Sequence, residues 1–118
     1  MTLKTVFICH PLANDVEGNL RAVIPYAKYI LGLGYCPIVP HWYSFVLNDN
    51  DPEERSKGIE CAFRLMRDSD YLLICGNYIS KGMSNEIGLW KSTGKDYGQI
   101  IINGGIKIIK QADFIRGK

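Results

Sequence analysis

Tyr71-Leu72-Leu73-Ile74-Cys75, followed after a short break by Ser80-Lys81-Gly82-Met83-Ser84-Asn85-Glu86-Ile87-Gly88, decides how this chain is read. Five apolar residues between Asp70 and Gly76 have the length and composition of a strand buried on both faces. The second run is rich in Gly and Ser and leads into Ile87, Leu89 and Trp90, so a helix is expected to begin at Ser84 or Asn85. Glu86 then sits on the first turn of a helix, behind a loop, at the carboxyl end of a strand. Open α/β sheets keep their ligand sites in that crevice.

The alternation continues on both sides. Thr5-Val6-Phe7-Ile8-Cys9 is short, β-branched and apolar, and reads as the first, central strand. Asn14 or Asp15 caps a helix whose apolar positions Val16, Leu20, Val23, Ala27, Ile30 and Leu31 recur at helical spacing; Pro25 should bend it. Residues 35–39 read as a second strand. Asp51, Pro52 and Glu54 supply the cap, first position and box partner of a helix reaching about Arg67. Residues 97–102 read as a fourth strand, Asn103-Gly104-Gly105 as a turn, and residues 106–109 as an edge strand or hairpin arm. Strands alternating with helices imply βαβ units. The expected fold is a single α/β domain over residues 1–118, a Rossmann-like three-layer sandwich with a central parallel sheet of four to five strands.

Bulk properties narrow the function classes. The 118 residues are 47% hydrophobic and 22% charged, with a net charge of +2. That balance gives no electrostatic footprint for a nucleic-acid polymer or an anionic membrane. The basic residues Lys107, Lys110, Arg116 and Lys118 read as a solvated chain end. Cys9, Cys36, Cys61 and Cys75 are not at metal-ligand spacing and read as reduced thiols; neither a metal nor a cofactor is expected. No secretory segment opens the chain, and no run approaches the roughly 18 apolar residues of a membrane span. The expectation is a soluble cytoplasmic protein. Trp42, Tyr43, Phe45 and Trp90 lie outside the strands and leave apolar surface for a homo-oligomer, a dimer or tetramer.

Rim residues from several loops are expected to converge: His10, His41 with Trp42, residues 80–86, and residues 103–105. Residues 80–86 offer backbone N–H groups and the hydroxyls of Ser80 and Ser84 to a phosphate or ribose. The other reading is a helix cap with a capping carboxylate. No GxGxxG follows the first strand, no GxxxxGK[ST] occurs, and the acids from Asp49 to Glu54 do not match a calcium loop. His10 and His41 are either general acids or histidines satisfying loop backbone. His41 beside Trp42 and Tyr43 also suits a base-stacking wall. Arg55 is a candidate for phosphate or for an acid of a neighbouring subunit. Tyr71 reads as core, and Trp90 as helix-to-sheet or subunit packing.

Phe7-Ile8-Cys9, Asn19, Pro37-Ile38-Val39-Pro40-His41, Leu47-Asn48-Asp49-Asn50-Asp51-Pro52-Glu53-Glu54-Arg55, Gly58, Asp68-Ser69-Asp70 and Ile79-Ser80-Lys81-Gly82-Met83-Ser84-Asn85-Glu86-Ile87 together resemble the nucleoside 2-deoxyribosyltransferase-like superfamily, near the phage and prophage domains called DUF4406. With the βα alternation, the resemblance implies strand order 2-1-3-4 and assemblies with sites near subunit boundaries. It implies transfer or hydrolysis at the N-glycosidic bond of a deoxynucleoside or its 5′-monophosphate, with Glu86 as nucleophile. Ser80, six before Glu86, stands where transferases have aspartate and monophosphate hydrolases have serine; Gly82 matches the glycine between. Ser80, Gly82, Met83, Ser84, Asn85, Trp42, Glu60 and Arg55 become substrate-binding candidates, and Glu86, His10 and His41 catalytic ones. Two departures are visible. Ala62 stands eight before Asp70 where an acid is expected, with Glu60 as a nearby substitute, and the first loop, His10-Pro11-Leu12-Ala13, lacks glycine. These departures fit an alternative, a nucleotide-binding protein of phage or prophage type without catalysis.

Overall fold

The computed structural model describes residues 2–115; Arg116 and Lys118 of the expected basic end lie outside them. Strands β1 (Thr5–Cys9), β2 (Cys36–Ile38), β3 (Tyr71–Cys75), β4 (Tyr97–Ile102) and β5 (Ile106–Lys110) form one sheet in the order β2-β1-β3-β4-β5. β1 pairs in parallel with β2 and β3, and β3 with β4, while β5 returns antiparallel along β4. This is the expected α/β class and order, with the edge arm joined to the sheet. The hairpin turn needs Gly104, whose φ is +69°.

Because successive strand residues point to opposite faces, β1 feeds two cores. Val6 and Ile8 join Val23, Tyr26 and Ile30 on one face, with Ala112, Phe114 and Ile115 folding back over it. Phe7 and Cys9 join Met66, Met83 and Trp90 on the other. Gly98 makes the return of the chain end possible. A Cβ there would lie 2.0 Å from Ile115 Cδ1 and 3.2 Å from the Ala112 methyl. Tyr71 stacks on Phe114, ring centroids 4.7 Å apart, in keeping with its core reading.

The helices differ from the sequence reading in two instructive places. The apolar pattern around Pro25 is two helices, α1 (Val16–Ala22) and α2 (Ile24–Gly32), meeting at Val23. Proline lacks the N–H a helix interior needs but fits a first turn. Asp15 caps α1 through the Gly18 N–H. Helix α3 (Pro52–Arg67) starts where expected, with Asp51 accepting from Glu53 N–H. The Glu54 carboxylate, however, accepts from the Asn48 N–H at 2.9 Å, pinning the preceding loop rather than closing a capping box. Helix α4 (Lys81–Ser92) begins before Ser84. Ser80 is its cap, accepting from Met83 N–H at 3.2 Å, so Glu86 lies in the second turn. The expected first-turn carboxylate, and with it the capping-carboxylate reading, is thereby corrected.

Candidate active site

Three of the four expected rim segments converge. The carboxyl end of β1, the 3₁₀ helix Pro40–Phe45 after β2, and the start of α4 surround a cavity of about 660 Å³, with one side of α3 as its wall. Residues 103–105 do not line it. Gly76, at φ +82°, turns the chain off the end of β3 toward α4. The Gln99 side-chain amide donates to its carbonyl at 2.8 Å.

Glu86 projects from α4 into this cavity. Burial pushes its carboxyl up to about 7, against the partial counter-effect of a hydrogen bond from the Cys9 thiol. Cys9 Sγ donates to Oε1 at 3.4 Å, and burial with the adjacent carboxylate drives the thiol far above its ordinary range. A carboxyl poised near neutrality in a cavity suits a group that trades protons.

The two histidines stand edge to face, ring centroids 5.7 Å apart. His41 Nε2 lies 2.8 Å from the His10 carbonyl, and His10 Nδ1 lies 2.8 Å from the Pro11 carbonyl. Carbonyls only accept, so both nitrogens donate. Burial lowers His10 and takes His41 down to about 4, so both rings are neutral at pH 7 and their remaining nitrogens are acceptors. Each ring thus satisfies a loop carbonyl with one nitrogen, which leaves the other nitrogen outside that bond. His41 Nδ1 and Ser44 Oγ are buried in the cavity wall with no hydrogen-bond partner among the described residues.

Cations line the cavity at Lys81 and Arg55, neither engaged in an ion pair among the described residues. Ser80 accepts at its oxygen from the helix, which leaves its O–H proton free for an anion. Gly82, Met83 and Asn85 also line the cavity, whereas Ser84, Glu60 and Trp42 do not. Ser84 and Glu60 each sit two residues from a cavity residue, Glu86 and Ala62, which turns them about 200° round their helices. Trp42 is exposed and stacks on Tyr43, which does reach the cavity. The sequence reading did not place Asp49 at the cavity or Cys9 beside Glu86. Ala62 occupies the wall where an acid was expected.

Trp90 is buried within the chain, its Nε1–H donating to the Asp96 carbonyl at 3.1 Å, so it packs helix against sheet and offers nothing to a partner. All four cysteines are free, and among the described residues no cluster of three or more His, Cys, Asp or Glu could hold a metal. Among the described residues no helix is long and apolar enough to cross a membrane.

Solved structures that share this architecture include two 2-deoxyribosyltransferases. The 2-deoxyribosyltransferase of the psychrotolerant bacterium Bacillus psychrosaccharolyticus superposes with a TM-score of 0.65 at 20% identity, over 87% of this chain and 76% of that one. The 2-deoxyribosyltransferase of Leishmania mexicana gives a TM-score of 0.54 at 18% identity, over 85% of this chain and 65% of its own. No curated protein sequence matches significantly. The profile that matches the sequence is that of DUF7768, a domain of unknown function, over residues 4–100, which corrects the expected placement near DUF4406. On a fold shared with 2-deoxyribosyltransferases, the chain belongs to the DUF7768 family.

Proposed function

We propose that this protein cleaves or transfers at the N-glycosidic bond of a deoxynucleoside 5′-monophosphate, with Glu86 as nucleophile. The observation that carries the reading is a carboxyl poised near neutrality inside a cavity that Ser80, Lys81 and Arg55 also line. An anion needs donors and cations, and those three side chains supply them. The fold shared with two deoxyribosyltransferases points to the same chemistry.

Glu86 as carboxylate attacks C1′ of the sugar through an oxocarbenium-like state. The C1′–N bond breaks, its electron pair leaves with the base, and a glycosyl ester forms. Water, or a second base, then attacks C1′ and releases the carboxylate. The departing base needs a proton. His10, less deeply buried than His41, takes a proton from solvent at its free nitrogen, delivers it to the departing base, and in the second step takes the proton that the attacking water gives up; His41 remains an acceptor toward the base. Gly82, Met83 and Asn85 bound the sugar, and Tyr43 rather than Trp42 is the ring beside the base.

Chromatography of a panel of deoxynucleoside monophosphates and deoxynucleosides tests this directly. Base should be released faster from the monophosphates, and Arg55→Ala and Lys81→Ala should raise KM about tenfold with little change in kcat. Absence of released base across the panel would overturn the catalytic reading.

The second reading is a nucleotide-binding protein without turnover. Ala62 in the cavity wall, with Glu60 facing away, favours it. Intact nucleotide recovered stoichiometrically by mass spectrometry, with no free base, would decide for it. Under either reading we propose a homo-oligomer in the reducing cytoplasm. Trp42, Phe45, Val46 and Ile59 are exposed on the 3₁₀ helix, just after it, and on α3, all beside the cavity. Light scattering at micromolar concentration should give a mass of at least two chains; the mass of one chain rejects the oligomer.

A further inference from the structure

We propose that Cys9 is a positioning residue for Glu86: its thiol donates to Oε1, fixes the carboxylate and leaves Oε2 to act on the sugar. The inference rests on Glu86 being the nucleophile. Cys9 is the last residue of β1, paired with Ile74 of β3, and is fully buried. Its side chain emerges on the sheet face covered by α4, in one apolar cluster with Met83 and Trp90. Its side-chain hydrogen bond among the described residues is to the Glu86 carboxylate, 3.4 Å away across 77 residues of sequence. No donor among the described residues reaches Oε2. A carboxylate held by one oxygen has one lone-pair set aimed and the other free, which an in-line attack requires.

Sulfur suits the place. The surroundings of Cys9 on this sheet face are apolar, so an alanine would leave Oε1 against hydrocarbon with no donor. Burial beside a carboxylate keeps the thiol protonated, so it stays a donor and never becomes a competing anion. The remaining titratable and charged groups facing Glu86 belong to other segments. His10 follows β1, His41 and Tyr43 lie on the 3₁₀ helix, Asp49 precedes α3, Arg55 lies on it, and Tyr78 and Lys81 flank the start of α4. Substitution at Cys9 leaves all of these in place, so a change in the titration of Glu86 is assignable to the sulfur.

The test is a ¹³C NMR titration of the Glu86 carboxyl in full-length wild type, Cys9→Ala and Cys9→Ser, beside the pH profile of kcat/KM for base release. Cys9→Ala should move the carboxyl midpoint upward by about half to one pH unit, and slow the reaction about 3–10-fold on the acid side. Cys9→Ser keeps a donor and should hold the midpoint at or below the wild-type value, with the rate restored. One midpoint shared by all three proteins overturns the proposal, as does a shifted midpoint with an unchanged pH–rate profile. Should Cys9→Ala fail to fold, the serine protein decides: its midpoint must be at or below that of wild type, and a higher one overturns the proposal. A wild-type protein that releases no base removes the nucleophile reading by itself. The titrations still answer whether the thiol holds the carboxylate, so the two failures are distinguishable.

Discussion

Glu86→Gln is expected to abolish base release, by about 10³-fold or more, while making the protein more stable above neutral pH. The first effect follows from chemistry: an amide cannot form the glycosyl ester. The second follows from burial. The folded-state value of Glu86, about 7, lies above its ordinary value of 4.5, so between those limits the folded protein holds a proton that the unfolded chain has lost. Stability therefore falls as pH rises through this window, and above it the wild type carries a desolvated charge. Glutamine carries none. The variant should exceed wild type at pH 8 by about 2–3 kcal/mol, with the difference shrinking toward pH 5. Urea unfolding at the two pH values measures it. Equal differences at both would mean that Glu86 is not the titrating buried group.

Trp90→Ala is expected to cost about 3–5 kcal/mol in folding stability. The indole is 1% exposed and sits among Phe7, Leu72 and Met83. It donates to the Asp96 carbonyl at 3.1 Å, and Lys95 Nζ lies 4.5 Å from its ring centroid. No neighbour can refill that volume, so a cavity forms between α4 and the sheet. Glu86 lies one turn before Trp90 on the same helix, so base release should fall along with stability. Trp90→Phe keeps most of the packing and should lose roughly half as much. Denaturant titration giving under about 1 kcal/mol for the alanine variant would reject this account of the α4 anchor.

How much of this was legible in the sequence depends on whether neighbours in space are neighbours in the chain. β1 and β3 read to the residue because each is an unbroken apolar run closed by polar or turn-forming residues: His10-Pro11 after one, Asp70 and Gly76 around the other. The start of α4 did not, because Ser80 is followed by Gly82 inside the first turn and by Met83 where a capping box would have Glu or Gln. That hid the true phase of the helix, and Ser84 was counted as a site residue although it faces away from the cavity. Glu60 failed for the same angular reason on α3. Trp42 failed because adjacent residues of a 3₁₀ helix point about 120° apart, and His41 took the inward direction. The partnership of Cys9 with Glu86 had no local signal at all. It exists only because parallel pairing of β1 with β3 brings the first strand beneath α4.

The double-sided sheet has a consequence for how this family can diversify. None of the residues lining the cavity belongs to the core built on Val6, Ile8, Tyr26, Phe114 and Ile115, whereas Phe63 and Met83 belong to both the cavity wall and the opposite core. A library that repacks the first core but keeps Tyr26, whose ring lies 5.7 Å from that of His10, can tune heat resistance with ligand preference held constant. A library aimed at new ligands necessarily perturbs the second core, and its winners will need rescue. The rescue can come from across the sheet, at core positions other than Tyr26, which do not line the cavity, so the two searches can be run in sequence on one scaffold.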